Sequence, residues 1–366
     1  VLRGVSLFEM SDLELVANRK KSFVIVKTGV AAEKMGEWKQ LCGNMVALID
    51  YVSTSQPELL NALKNSGCDF CYDDKMNYGK VSKSIDTTGL EVNDFSGDVS
   101  EEYLRALSDS AVKCVVATTA DDLLQYHRVN PLLRVSVRLS LSGEMYDSGI
   151  SVEEAPAFFE VAKSNGIEID ALCIDCPSAA SVKPALEMLQ SVKTVAASKG
   201  IAIGKFVLLN EGVQKLLKNE ECAPILSELK ELANSIRISA DASRFFTQDA
   251  YTIYTIVIGK KKKTSEKEER MLYYVDNGVY CCFYSAHING EFSEFVPIHV
   301  VSKPSEKQYI TTLFGPTCDS IDTLGNDYHF PELMIGDWLK AEHSGYKCSN
   351  DSARFNGFED PDIIVM

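Results

Sequence analysis

Short runs of β-branched and apolar residues recur along the first two thirds of the chain, each followed by a stretch of helical character. The runs fall at 45–49, 112–116, 133–139, 169–174 and 205–209; the helical stretches fall at 31–41, 58–64, 121–127, 152–164, 179–199 and 223–235. A strand that is apolar along its whole length is buried on both faces, and a helix between two such strands returns the chain for parallel pairing. The pattern predicts a parallel sheet wrapped by helices, and the number of units is compatible with a closed barrel. Pro57 supports this locally, because proline is favoured in the first turn of a helix.

After 236–239 the alternation stops. Aromatic-rich short runs at 251–258, 273–284, 294–301 and 309–314 take over, which reads as an antiparallel β-domain. Between the first two lies the stretch 260–270, where four consecutive lysines are answered by three glutamates. That balance predicts a solvated, charge-dense loop rather than a nuclear or nucleic-acid signal.

A chain of 366 residues supports a large core and more than one average domain. Its formal charge of -15 argues against a broad nucleic-acid or anionic-membrane surface, since both need a positive footprint. The eleven cysteines are an odd number scattered through apolar segments, with no signal peptide before them, which fits reduced thiols. No apolar run reaches the roughly 18 residues a membrane span needs. These points predict a cytoplasmic protein, with room for a nuclear pool.

The most specific string is Leu313-Phe314-Gly315-Pro316-Thr317-Cys318-Asp319-Ser320. Gly-Pro restricts the backbone to a sharp turn and presents Thr317, Cys318 and Asp319 at a corner, where a thiol and a carboxylate could serve a pocket. A solvated turn is the plainer reading of the same residues. Around it stand Tyr273-Tyr274-Val275-Asp276-Asn277-Gly278-Val279-Tyr280, Pro331-Glu332-Leu333, Gly336-Asp337-Trp338 and Phe355-Asn356-Gly357-Phe358. In this order the strings resemble the C-terminal half of eukaryotic ornithine decarboxylase and its non-catalytic relative, antizyme inhibitor. The resemblance implies an α/β fold of the alanine racemase/ornithine decarboxylase-like type, a (β/α)8 TIM-like barrel followed by an antiparallel β-domain. It implies lead-in strands at 1–28, the barrel at 29–248 and the β-domain at 249–366. It also implies a head-to-tail dimer in which Cys318 and Asp319 complete a neighbour's active site.

Family chemistry rests on pyridoxal phosphate, which needs a Schiff-base lysine, an acid at the ring nitrogen, phosphate donors and a stacked ring. Aligned back from the helix that Pro57 opens, the lysine's position falls on Val52, and valine cannot form an imine. Lys27, in Val24-Ile25-Val26-Lys27, is the rival, but Phe23, Gly29 and Trp38 match the family's preceding strand and helix and place Lys27 in the lead-in strand. The family's Gly-Gly-Gly phosphate loop corresponds to Asn210-Glu211-Gly212. Two like charges at about 4 Å and an effective dielectric of about 20 repel by about 4 kcal/mol, so Glu211 opposes a phosphate there. The stacking histidine's motif falls on Asp175-Cys176-Pro177-Ser178-Ala179, and Glu-Pro-Gly-Arg falls on Asp241-Ala242-Ser243-Arg244. Asp69 matches a family aspartate; a Tyr-Asp pair falls at Ile288-Asn289, and a late tyrosine at Lys347 or Tyr346.

The resemblance thus implies a degenerate, catalytically inactive pseudoenzyme with pyridoxal phosphate binding lost. Asp69, Ser178, Gly212, Asp241 and Arg244 are read as vestigial cofactor positions, Val52 and Asp175 as degenerate ones, and Cys318 and Asp319 as retained. Cys68-Asp69-Phe70-Cys71 and Cys173-Ile174-Asp175-Cys176 read as core thiols rather than a zinc site, so no metal is expected. The expected partners are proteins, either antizyme or an ornithine decarboxylase-family paralogue, in a homo- or heterodimer. An active amino-acid decarboxylase with a rearranged site, and a scaffold unrelated to polyamines, are the alternatives. Acids at Asp98, Glu101 and Glu102, where the family carries lysines that bind antizyme, weigh against that partner.

Overall fold

In the computed structural model, which describes residues 11–54, 56–72, 92–107, 112–142, 148–264, 268–284, 292–346 and 357–366, the chain forms two compact units. One, a barrel, comprises 32–52 and 60–245; the other, a sheet, comprises 1–31, 53–59 and 246–366. Helix α1 (Asp12–Val16) and strand β1 (Phe23–Val26) come first, and β1 belongs to the sheet.

The barrel closes through eight parallel strands: β2 (Val46–Asp50), β3 (Asp69–Tyr72), β4 (Val92–Asp94), β5 (Val112–Ala117), β6 (Arg134–Leu139), β7 (Ile169–Asp175), β8 (Lys205–Leu209) and β9 (Arg237–Asp241). Closure is the pairing of β2 with β9, Val46 opposite Ser239 and Leu48 opposite Asp241. Side chains alternate along a strand, so one face of each run turns inward. There Leu48, Cys71, Val116, Ala171, Cys173, Val207 and Leu209 meet, with Phe95, in a dry cluster. The connecting helices include α2 (Val30–Cys42), α3 (Pro57–Ser66), α4 (Glu101–Ala106), α5 (Ala120–Val129), α6 (Ala155–Ser164) and α7 (Ala179–Ser198), with Pro57 opening α3. Thr119 and Ser178 cap α5 and α7, accepting from the N–H of Asp122 and Ser181 and so satisfying donors that a helix start leaves unpaired. At the strand starts the polar residues pair among themselves. Asp69 binds Arg237 at 2.5 Å, Arg134 binds Asp170 at 2.8 Å, and the buried Lys205 donates to Asn93 at 3.4 Å.

The sheet contains β10 (Tyr251–Thr264), β11 (Glu269–Val275), β12 (Phe295–Ile298), β13 (Gln308–Phe314), β14 (Thr323–Pro331), β15 (Trp338–Ala341) and β16 (Asp362–Val365). Its order is β12-β15-β10-β11-β13-β14, with β1 joining β10 to β16. Most pairs are antiparallel, but β11 runs parallel to β13 and β1 parallel to β16. The lysine run differs from the expected loop: residues 260–264 continue β10, with Lys261 opposite Leu272 and Lys263 opposite Arg270. Its charges are met across the strands, Lys260 by Glu332 at 2.6 Å and Lys262 by Glu269, so the backbone ladder continues beneath them. The run at 273–284 also breaks earlier than its composition suggests. The strand β11 ends at Val275, and the chain turns at Asn277-Gly278, where the Val279 N–H donates to Asp322.

Three acids fix the turns of the sheet. Asp276 accepts from the Ser22 N–H and hydroxyl, the Thr255 hydroxyl and the Ile256 N–H. Asp322 accepts from the N–H groups of Val279 and Thr317, and Asp337 from those of Val300, Val301, Ser302 and Met334. Burial alone would raise the Asp337 carboxyl, but the donors from Ser302, Met334 and Val301 outweigh it and hold the group below its ordinary value. Because the folded pKa is depressed, this stabilisation is complete above the unfolded value of about 3.9 and is lost as pH falls through the folded one. Asp337→Asn is therefore expected to flatten the acid limb of stability below about pH 4, read by denaturant midpoints between about pH 2 and 6. A variant whose acid limb overlays that of the parent would remove Asp337 from the account.

Candidate active site at the barrel mouth

A (β/α)8 barrel places its chemistry at the C-terminal ends of its strands, because the loops there are free to vary while the strands hold them in register. Asp175 ends β7 and accepts from Arg138 Nε at 2.9 Å and from Arg138 Nη2. It also accepts from Asn210 Nδ2 at 2.7 Å. Asn210 follows β8 with φ +62, in the left-handed region that asparagine tolerates better than most side chains. Glu211 comes next, only 15% exposed, and accepts from Arg244 Nε at 2.7 Å. Lys215 Nζ lies 3.4 Å from the same carboxylate and donates to the Pro177 carbonyl at 3.0 Å. Burial would raise Glu211, but Arg244 and then Lys215 outweigh it and keep the carboxyl below its usual range.

Gly212 opens α8 (Gly212–Leu216), and a Cβ there would stand 2.4 Å from the Cys176 carbonyl oxygen. Glycine is thus required for this loop to lie against the exit of β7, and Gly212 acts here through packing. Asp241 ends β9, buried, and accepts from the Ser243 N–H at 2.9 Å and hydroxyl at 2.5 Å. Ser243 Oγ accepts in turn from the Asp50 N–H at 2.8 Å, tying the last barrel strand to the first. Directly after Asp50 the chain makes a 3-10 turn, Tyr51–Ser53, so the backbone of Val52 lies at the exit of the first barrel strand.

The structure thus gathers Asp175, Ser178, Gly212, Asp241 and Arg244, with Val52, at one end of the barrel. Asp69 lies elsewhere: it is the first residue of β3, at the opposite end. Lys27 follows β1 in the sheet unit, its N–H donating to the Ala250 carbonyl at 2.8 Å. Cys318 is exposed in the sheet unit, and Asp319 accepts from Tyr280 Oη at 2.6 Å, a bond that pushes the phenol up to about 12. Tyr346 is held by a bond from its N–H to Thr247 Oγ1, whereas Ile288, Asn289 and Lys347 lie outside the described residues. Among the described residues no group of three or more His, Cys, Asp or Glu is placed to hold a metal ion, and burial pushes the Cys176 thiol up to about 12.

One cluster carries no sequence signal. Asp94 ends β4, 2% exposed, and accepts from Tyr103 Oη at 2.9 Å and from the Ser96 N–H at 2.8 Å. Tyr72, which ends β3, stands 3.0 Å from the same Tyr103 oxygen. Burial raises the Asp94 carboxyl in spite of these bonds. Only the parallel register of β3 and β4 brings Tyr72 level with Asp94.

Comparison with known proteins places this geometry. The ornithine decarboxylase of Schizosaccharomyces pombe is 26% identical over 287 residues, 72% of this chain and 65% of that protein. Antizyme inhibitor 1 of Pongo abelii is 21% identical over 372 residues, 95% of this chain and 83% of that protein. The chain therefore spans a little under two thirds of the first of these relatives. The structure of SrLDC in complex with PLP and cadaverine shares the fold, with a TM-score of 0.81, 20% identity, and coverage of 99% of this chain and 95% of that one.

The family profile described as "Pyridoxal-dependent decarboxylase, C-terminal sheet domain" matches residues 70–345. That match overturns the expected loss of pyridoxal phosphate, and the donor set at the mouth agrees with the correction. The earlier expectation weighed each lost motif residue alone, whereas folding leaves Arg244 and Lys215 together as cations suited to a phosphate, with Asp241 a buried acid suited to a ring nitrogen. By the extent of the match and by its fold, the chain belongs to the pyridoxal-dependent decarboxylase family, among the proteins like ornithine decarboxylase and antizyme inhibitor.

Proposed function

We propose that this chain is a non-decarboxylating member of its family, a pseudoenzyme that acts through protein contacts as a regulatory partner in polyamine synthesis. One observation carries the reading: the exit of the first barrel strand holds valine at position 52, where the family's Schiff-base lysine would stand. Among the described residues the buried lysine of the barrel is Lys205, at the starts of the strands and bonded to Asn93. Pyridoxal phosphate supplies an electron sink once it is joined to an amine. Here Arg244 and Lys215 would hold its phosphate and Asp241 its ring nitrogen, without a covalent bond from position 52.

The contact surface follows from charge. Glu101, at the start of α4, pairs with Arg105 at 2.6 Å and reaches Arg128 at 3.4 Å, while Glu102 stays exposed. Acids at Asp98, Glu101 and Glu102 weigh against antizyme bound in the inherited way, since charge complementarity sets partner choice. A second reading, a decarboxylase with a rearranged site, has Lys215 in its favour, because that amine does lie at the mouth.

Incubation with pyridoxal phosphate, borohydride reduction and peptide mass spectrometry separates the two. The expected result is no pyridoxyl-lysine and no amine product from ornithine, lysine or arginine. A modified lysine accompanied by turnover would establish the second reading and end the first.

A further inference from the structure

The loops after the seventh and eighth strands of a (β/α)8 barrel are a recurrent place for a phosphate. In this chain those strands are β8 and β9; Glu211 stands in the loop after β8, and Arg244 lies in the short helix that follows β9. We infer that Glu211 is a resident anion in that phosphate site, and that any phosphate-bearing ligand binds there by displacing its carboxylate from Arg244 and Lys215. This deepens the reading that the mouth accepts a phosphate group, and it is independent of whether the chain decarboxylates.

Four observations carry it. The Glu211 carboxylate is 2.7 Å from Arg244 Nε and 3.4 Å from Lys215 Nζ, so one carboxylate occupies cations from two helices, α8 and α9 (Ser243–Thr247). Both members of the Glu211–Arg244 pair are about five-sixths covered, with side-chain exposures of 15% and 16%, so little water screens them. The loop is held rigidly, by the Asn210 bond to Asp175 on one side and by the close approach of Gly212 to Cys176 on the other. Finally, the neighbouring cation, Arg138, is engaged by Asp175, whereas Arg244 and Lys215 are, among the described residues, the cations that Glu211 engages.

A ligand phosphate and the Glu211 carboxylate both seek the planar fork of Arg244, and like charges cannot share it without repulsion. Displacing the carboxylate costs it the cations it now pairs with. Glu211 therefore lowers the affinity of the site for phosphate without removing the groups that bind it, and a neutral side chain should release that affinity.

The test is titration calorimetry of the full chain with inorganic phosphate, comparing the parent, E211Q and E211Q/R244M. Glutamine keeps the size and the hydrogen-bonding oxygen but drops the charge; E211S serves in its place should E211Q unfold, with circular dichroism as the check. The expected result is binding at least tenfold tighter in E211Q than in the parent, with the gain abolished by R244M. Affinity in E211Q and E211S no better than in the parent, including no detectable binding by any of them, overturns the inference, as does a gain that survives R244M. Neither outcome bears on the borohydride result, so the two proposals fail separately.

Discussion

Asp322→Ala is expected to destabilise the sheet unit by about 2–4 kcal/mol, the sum of one buried and one part-buried donor left unsatisfied and a small cavity. Asp322 is 1% exposed, and its two oxygens accept separately, Oδ1 from the Val279 N–H and Oδ2 from the Thr317 N–H, both at 2.9 Å. The carboxylate also lies against two glycines. A Cβ on Gly278 would stand 2.2 Å from Asp322 Oδ1, and one on Gly315 would stand 2.1 Å from it. One acid thus holds the Asn277-Gly278 turn to the Gly315-Pro316 turn. Asp322→Asn, which keeps the volume and one acceptor, should cost about half as much, and Gly315→Ala should be as damaging as Asp322→Ala because it drives the carboxylate from its donors. Each unit contains one of the two tryptophans, Trp38 in the barrel and Trp338 in the sheet, so fluorescence of Trp338 in a Trp38→Phe background during urea unfolding reports the sheet. A loss below about 1 kcal/mol for Asp322→Ala, within the range of an ordinary surface change, would refute this account.

This arrangement also explains why family-like strings persist around 276–280 and 313–320. Their glycines and acids are needed to close the turns whether or not chemistry follows, so the survival of Cys318 and Asp319 beside them is no measure of activity. The barrel was legible for a similar reason: β8 is buried throughout, β5 on all but one residue, and β2 and β7 through their central residues, and burial on both faces writes itself into composition. Strands β3 and β4, with four and three residues, are too short to announce themselves, and the lysine-bearing end of β10 looks like loop because its partners lie on other strands.

The site was legible only by position. Val52 could be aligned from the helix that follows it, but Arg138 and Asp175 are 37 residues apart and Glu211 and Arg244 are 33 apart. Such pairs exist only once the barrel closes. Read alone, Glu211 is a charge hostile to phosphate; in the fold it is half of an ion pair with Arg244. Asp69 went to the wrong end because a matching residue type says nothing about direction along a strand, and β3 begins at Asp69 itself.

Asp175→Ala is expected to cost the barrel about 2–3 kcal/mol, somewhat less than the rupture of a fully buried pair because Arg138 and Asp175 remain 21% and 28% exposed. The loss has two parts: a guanidinium at the barrel mouth that loses the Oδ2 oxygen accepting from both its Nε and its Nη2, and Asn210, at φ +62, that loses the Oδ1 oxygen its side chain binds. Here the ion pair links the exits of two adjacent strands, β6 and β7. It follows that the cost should come from the pair and not from either residue alone. Removing the arginine as well, in Arg138→Met/Asp175→Ala, should recover part of the stability, because the guanidinium that lost the Asp175 carboxylate is gone and the methionine packs where the arginine stem did. A double-mutant cycle followed by Trp38 fluorescence in a Trp338→Phe background should therefore give a coupling energy of at least about 1 kcal/mol. Additive losses would show that the two side chains are independent, and the mouth would then need another source of order before a bound phosphate could be said to inherit a preformed site.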